Sequence, residues 1–382
     1  MRILVNATNI VVGGGIQVAV SYISKAMEDV NGHDFIFAVS RQVKENLNQT
    51  HQDDNRLKVF IPSPSGLLSG RNTRKKLRNI ELIFVPDVVF TVFGPAYVNF
   101  KAPHLCGFAA GWTTHRSKIA INALPIARRI WTIALAKYRR LRLSVTNYYW
   151  VEAEVAKRGL VRLLGIESSK IRVIKNTYAE VFINAKDDPQ KNNGNGEVKI
   201  FCLAAPYPHK NLTIIPEVID LLNKKRLNRK YKFIVTLPKL GSEVNSFWKK
   251  ANKYKVTGSI KNLGPLKLAE CPHWYTVADI VFLPTLLETF SATYPEAMVM
   301  GKPIVTTDLD FAHDTCGDAA AYFEPLDPQS AADAIENLAN DQIACKTLVK
   351  NGYSRLAHFP DPSEKYQLIM DWLSTIVLSQ EK

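Results

Sequence analysis

Cysteine is scarce in this 382-residue chain: Cys106, Cys202, Cys271, Cys316 and Cys345 are five, an odd number, widely spaced and without a C-x-x-C pair. That excludes a disulfide framework and a cysteine-based zinc site, and it fits thiols kept reduced in a cytosol. A long hydrophobic run is also missing. The most apolar stretch, Leu82 to Val98, is interrupted by Pro86, Asp87 and Pro95, so no membrane-spanning helix is expected. Met1-Arg-Ile-Leu-Val-Asn6 enters a strand-like run at once, without the charged and apolar regions of a signal peptide, and a location inside the cell is expected. Internal repeats of 20–50 residues are absent.

Acid is missing where base is abundant. Lys101 to Trp150 holds nine Lys and Arg and no Asp or Glu. The first 180 residues hold 26 Lys and Arg against 12 Asp and Glu, and the rest 23 against 23, so the whole formal charge of +14 belongs to the N-terminal half. Arg71-Asn-Thr-Arg74-Lys75-Lys76-Leu-Arg78 is a second basic cluster. Such a field draws nucleic acid, a membrane surface or a phosphorylated substrate. No nucleic-acid motif is present and aromatic residues are not interleaved with the basic ones, so nucleic acid is not the expected partner, although a basic nucleic-acid-binding protein stands as the alternative of another class.

What is there is an ordinary globular composition, 46% hydrophobic, long enough for two domains. Short β-branched runs alternate with helical ones, the pattern of parallel sheets covered by helices. Ile3 to Val5, Phe35 to Val39, Val59 to Ile61, Val88 to Val92, Ser144 to Thr146 and Ile171 to Ile174 read as strands. Helices are predicted from about Ile16 to Val30 and through Val151 to Leu164. The polar stretch Asp187 to Gly196 reads as a linker. A second alternation follows, with strands at Lys199 to Leu203, Lys232 to Thr236, Ile280 to Leu283 and Ile304 to Thr306 and a helix at Leu212 to Lys225. The expected architecture is α/β: two doubly wound, Rossmann-like units in tandem, 1–180 and 198–360, joined by a linker at 181–197 and followed by a C-terminal helix at 361–382.

The densest chemistry lies between the strands at Ile280 and Ile304. Gly301 and Pro303 end a helix that starts within Ser291 to Thr293, and the loop before it lies at the carboxyl end of a parallel strand, where open α/β sheets bind ligands. Amides of Ser291, Ala292 and Thr293 at a helix start suit a phosphate. Glu288 and Glu296 bracket that anion site, and carboxylates accept well from paired sugar hydroxyls, so the set suits a diphosphate with a hydroxylated ring at each end. Thr293-Tyr-Pro-Glu296 also matches a capping box, which would give Glu296 a purely local task.

Glu288-x7-Glu296, with Phe290, the Glu296-Ala-Met block and Gly301-Lys-Pro303-Ile-Val, resembles the E-x7-E signature of retaining glycosyltransferases of the glycogen-synthase-like superfamily. Phe311-Ala-x-x-x-Cys316-Gly-Asp-Ala-Ala-x-Tyr-Phe323-x-Pro325 is similar to the stretch that follows the motif in bacterial members that build surface polysaccharides. Pro206-Tyr-Pro-His209-Lys210-Asn211 resembles their Lys-Asn element, and Val173-Ile-Lys-Asn176-Thr the close of their first domain.

The resemblance implies the GT-B fold, two Rossmann-like domains across a cleft, and metal-independent transfer of a hexose from a GDP- or UDP-linked nucleotide-sugar donor, with no cofactor and no metal site. It implies catalytic roles for Lys210, at the donor diphosphate, and Glu288, at the donor sugar. Phe290, Ser291, Ala292 and Thr293 would line the donor, Glu296 would hold the ribose, and Gly14 and Gly15 would let backbone approach the diphosphate or acceptor. The arginine expected five residues before Lys210 is Ala205, and the position of a first-domain histidine falls on Phe108 and Ala109, so no catalytic histidine is assigned. A donor-binding partner without transferase activity is the alternative these departures leave open. Asp308-Leu-Asp310 reads as a turn with solvated carboxylates rather than a metal motif.

The acceptor implied by the resemblance is a lipid-linked oligosaccharide or lipopolysaccharide, met at the inner face of the plasma membrane. A basic first domain suits that place: each Lys or Arg near an anionic leaflet contributes about 1 kcal/mol. The expected membrane or acceptor contacts are Arg74, Lys75, Lys76, Arg128, Arg129, Arg139, Arg140 and Arg142.

Overall fold

A computed structural model describes residues 1–143, 146–185, 196–225 and 229–380. The chain divides into two compact units: Met1–His115 with Ile130–Asn176 and Pro360–Lys382, and Arg116–Arg129 with Thr177–Phe359.

The first unit holds β1 (Arg2–Ala7), β2 (Asp34–Ser40), β3 (Leu57–Phe60), β4 (Val88–Thr91), β5 (His104–Gly107), β6 (Tyr148–Val151) and β7 (Ile171–Val173). They form one seven-stranded sheet in the order β3-β2-β1-β4-β5-β6-β7, every adjacent pair parallel. Central strands of a parallel sheet are covered on both faces, which is why Ile3–Val5 of β1 and Val88–Phe90 of β4 read as continuous apolar runs and not as alternation. Helix Gly15–Met27 buries Val18, Ala19, Tyr22, Ile23 and Ala26, a helical stripe laid on that sheet.

Helix Pro362–Leu378 covers the same core. Asp361 and Glu364 cap it reciprocally, and Pro362 takes the first turn, where its missing N–H costs nothing. Tyr366, Ile369, Met370, Trp372, Leu373 and Ile376 join Val5, Tyr22, Phe90 and Trp150 in one cluster. At about 1.5–3 kcal/mol for each fully buried large side chain, this helix is integral to the first unit. The Lys365 ammonium donates to Asn176 Oδ1 at 2.6 Å, just beyond β7.

The second unit holds β8 (Glu197–Cys202), β9 (Lys230–Val235), β10 (Ile260–Asn262), β11 (Ile280–Leu283), β12 (Ile304–Thr307) and β13 (Ala320–Phe323), parallel throughout in the order β10-β9-β8-β11-β12-β13. Two doubly wound α/β sheets are therefore present, as expected.

Several boundaries differ from the expectation. The helix expected from Val151 starts at Glu154, because Tyr148–Val151 is an aromatic and β-branched run that pairs with β5. Of the strand expected at Ser144 to Thr146, the first two residues lie outside the described residues and Thr146 is not in a strand. The linker expected at Asp187 to Gly196 lies outside them up to residue 195. Strands β5, β6, β10 and β13 and several helices, Arg71–Phe84, Ser242–Lys253 and Pro328–Asn340 among them, lie outside the expected set.

Candidate functional site

The second sheet reverses its winding between β8 and β11: the chain builds outward through β9 to β10, then returns to the other side of β8. At such a switch point the loops leaving two neighbouring strands diverge and open a crevice at the carboxyl edge. Lys210 comes from the loop after β8 and Glu288 from the loop after β11. Pro208–Lys210 is a single 3-10 turn, and Asn211 ends it at φ +51°, a left-handed conformation that asparagine tolerates. The amide of Leu286 donates to the carbonyl of His209 at 2.7 Å and joins the two loops. Across that join the Lys210 ammonium and the Glu288 carboxylate form an ion pair, with side chains 15% and 14% exposed.

Glu296 lies on helix Thr293–Val299, which has no side-chain cap. The capping-box alternative is not realised. The amide of Glu296 bonds to the carbonyl of Ala292 at 3.0 Å, so the helix starts one residue before the box requires, and the Glu296 carboxylate accepts instead from the Tyr275 hydroxyl at 2.9 Å. Burial pushes its pKa up to about 7, against the opposing pull of the Tyr275 hydrogen bond and the Lys210 charge. The Tyr275 ring is held edge-on by Phe182 and Phe201 at 5.6 and 5.2 Å.

Within the loop, Thr285, Leu286, Leu287, Thr289 and Ser291 are buried. Phe290 packs against Phe359, ring centroids 5.9 Å apart. Two polar atoms beside the ion pair, Thr289 Oγ1 and Asn211 Nδ2, are buried without a hydrogen-bond partner among the described residues. Such orphans are uncommon in native proteins and call for an explanation, of which a ligand is one. Burial, aided by the Lys210 and Arg128 charges, drives the His209 pKa down to about 3, so its ring, stacked on Tyr207, is neutral. Tyr275 and Thr289 carry no local signature in the sequence and were not anticipated.

The site is an uncapped helix start beside an ammonium, flanked by two carboxylates and two unsatisfied polar atoms. It can take an anion at its centre and hydroxyl groups on either side. Residues 184–355 match the glycosyl transferases group 1 family. This stretch is a group 1 glycosyltransferase domain.

Among curated proteins, the O-antigen chain mannosyltransferase RfbU of Salmonella typhimurium is 24% identical over 236 residues, 62% of this chain and 60% of RfbU. The matched region thus spans less than two thirds of that relative. HepE of Anabaena, solved in complex with UDP-glucose, aligns over 98% of this chain and 99% of its own with TM-score 0.74 at 14% identity. The sucrose-phosphate synthase of Thermosynechococcus elongatus aligns over 99% of both chains with TM-score 0.73 at 12% identity. The fold is GT-B.

Lys210, Glu288, Phe290, Ser291, Ala292, Thr293 and Glu296 all fall inside the glycosyltransferase domain. The zero net charge of residues 181–382 conceals a polarity within it. Residues 199–267, which build β8 to β10, hold 15 Lys and Arg against 3 Asp and Glu; residues 268–359 hold 4 against 13. The switch point is the seam between a basic half-sheet carrying Lys210 and an acidic one carrying the glutamates. Of the Asp308-Leu-Asp310 pair, Asp308 is bound to His313 Nε2 at 2.6 Å and Asp310 opens helix Asp310–Cys316.

Outside the glycosyltransferase domain, Gly14 and Gly15 follow β1 at the corresponding switch point of the first sheet, between β1 and β4. Asn9 Nδ2 joins the two loops there by donating to the carbonyls of Phe93 and Pro95 at 2.8 and 3.1 Å. Gly13 has φ +81°, but Gly14, at φ −59° with open space where a Cβ would stand, is required by neither backbone nor packing. His104 is a core residue: its Nε2 meets Thr91 Oγ1 at 2.8 Å and burial lowers its pKa to about 3.

The basic residues sort into two groups. Arg74 donates to the carbonyls of Pro64, Gly66 and Leu67 at 2.5, 2.7 and 2.6 Å, closing a loop. Arg128 pairs with Glu243, and Arg129 donates to the carbonyls of Asn122 and Leu124 at 3.1 and 3.4 Å. Lys75, Lys76, Arg140 and Arg142 are exposed, and Arg139 is half-buried.

Proposed function

We propose that the protein is a retaining, metal-independent glycosyltransferase that moves a hexose from a GDP- or UDP-linked donor to a lipid-linked oligosaccharide or lipopolysaccharide acceptor, working at the inner face of the plasma membrane. The observation that carries this reading is the Lys210–Glu288 pair at the β8/β11 switch point, beside an uncapped helix start. Lys210 stabilises negative charge on the departing diphosphate as the sugar–phosphate bond breaks, and the amides of Ser291, Ala292 and Thr293 share that charge. Glu288 accepts from hydroxyls of the donor sugar and Glu296 from those of the ribose. Backbone at Gly14 and Gly15 approaches the diphosphate or the acceptor. Phe290, packed on Phe359, holds the loop in shape beneath the donor. The O-antigen mannosyltransferase among the relatives supports a surface-polysaccharide acceptor. The test is a thermal-shift screen across nucleotide sugars followed by donor hydrolysis. A ligand at 100 times its dissociation constant adds about 2.7 kcal/mol of stability, and absence of a shift with every GDP- and UDP-sugar overturns the reading.

A further inference from the structure

Helix Ile126–Leu143 carries apolar side chains on two sides: besides those turned inward, large ones within residues 130–142 face outward. Ala136 and Leu143 are buried and Ile133, Leu135 and Arg139 half-buried, whereas Ile130, Trp131 and Leu141 are 64%, 67% and 70% exposed. Ile130, Ala134, Lys137 and Leu141 are spaced as one row along the helix, and Trp131 and Tyr138 lie in the next. Arg140 flanks the stripe on one side and Arg142, whose guanidinium stands 5.4 Å over the Tyr138 ring, on the other. Tyr138 in turn stacks on Tyr97, centroids 6.3 Å apart, which fixes the row against the first unit. No acid occurs between residues 101 and 150.

Large apolar side chains at this exposure, rimmed by cations, mark an interaction surface. Charge selects the occupant. An apolar protein groove would not need this basic rim, while an anionic phospholipid surface offers acyl chains at one depth and phosphates at the next, with tryptophan favoured at the boundary. We propose that residues 130–142 of this helix lie in the plane of an anionic bilayer, with Ile130, Trp131 and Leu141 inserted and Lys137, Arg140 and Arg142 at phosphate level, where lysine and arginine stems cover apolar surface while their charges stay wet. This deepens the membrane part of the reading above by naming insertion, not charge alone, as the means of attachment. Arg74, Arg128 and Arg129, committed to contacts within the fold, are not part of it.

The full chain is tested by co-sedimentation with phosphatidylglycerol vesicles and with phosphatidylcholine vesicles, at low and at 0.5 M salt. Replacing all three inserted residues together (I130S, W131S, L141S) is expected to weaken binding to phosphatidylglycerol by more than tenfold at either salt, and R140Q with R142Q by severalfold at low salt only. Trp131 fluorescence, taken as the difference between the parent chain and W131F, is expected to shift to the blue on binding. Thermal shifts with nucleotide sugars serve as an independent readout and are expected to be unchanged in every variant, so failure of the donor reading and failure of the attachment are distinguishable. Unchanged vesicle binding by the triple variant, binding abolished by salt without a fluorescence shift, or a triple variant that changes only the chain's self-association would each overturn the proposal.

Discussion

Lys210 and Glu288, 78 residues apart in sequence, are bound to each other across the β8/β11 switch point. Each is therefore the counter-charge of the other before any donor is considered, and a donor that engages both must replace one ion pair by two sets of contacts: phosphate with the ammonium, hydroxyls with the carboxylate. The proposed roles then separate by mutation. K210A is expected to lower donor turnover by about 10²- to 10³-fold, the loss typical of removing one charge-stabilising donor. E288Q is expected to abolish turnover yet bind free nucleoside diphosphate at least as tightly as the parent, because Lys210 is released from its partner. Calorimetry with UDP and GDP checks this, and equal loss of nucleotide binding in both variants contradicts the division of roles.

The carboxyl of Glu296 titrates near neutrality because burial raises its pKa to about 7. Donor binding that needs the carboxylate should strengthen as pH rises from 6 to 8, with KM falling. Stability should move the opposite way. A carboxyl with a raised folded pKa holds its proton in the native state after the unfolded chain has lost it, so stability falls from the ordinary glutamate pKa up to about 7 and then levels off. At full effect the cost is on the order of 3 kcal/mol. E296Q should remove both trends: a flatter KM profile with weaker binding at pH 8, and a higher Tm there. A donor KM in the parent that is flat across this range speaks against a ribose-binding carboxylate.

The two-sheet architecture was legible because parallel strands buried on both faces announce themselves as apolar runs such as Val88–Thr91, and because helices such as Gly15–Met27 carry a clean stripe. Glu288, Glu296 and Lys210 were legible through local motifs, each sitting on a loop or helix start next to a strand end. Their pairing was not. Whether Lys210 meets Glu288 depends on β8 lying beside β11, a topological fact that no local window contains. Tyr275 and Thr289 escaped for a related reason: one reaches Glu296 from helix Cys271–Val277, and the other differs from the buried Thr285 only in what surrounds its hydroxyl. The charge sum misled in the second half, where a basic and an acidic half-sheet largely offset each other within a zero total. In helix Ile126–Leu143 the mixture of apolar and basic residues obscured the orientation, since Ile133 and Leu135 turn partly inward while Ile130 and Trp131 face out.

Gly14 offers a test of the first unit's glycine loop. Its φ of −59° is open to any residue and nothing stands within 4 Å of a Cβ built there. G14A should leave Tm unchanged or raise it slightly, since alanine at a compatible position restricts the unfolded chain by about 0.4–1 kcal/mol. If backbone approaches the diphosphate or acceptor at this point, the added methyl should cost tenfold or more in transfer. A loop that serves only as a turn would show full activity in G14A, and assaying donor hydrolysis beside transfer tells which ligand the methyl obstructs.

Thr289 separates structural from functional cost most sharply. Its hydroxyl is buried without a partner among the described residues, and an unsatisfied buried polar group costs about 1–3 kcal/mol. Valine has the same shape without the hydroxyl, so T289V should fold at least as stably as the parent, with Tm unchanged or a few degrees higher. A hydroxyl kept at a stability cost beside Glu288 is expected to bond the donor, so the same variant should bind nucleotide sugar about tenfold more weakly. A stabilised T289V with unimpaired donor affinity would mean that the orphaned hydroxyl serves something other than the donor, and a destabilised one would mean that it has a partner within the fold.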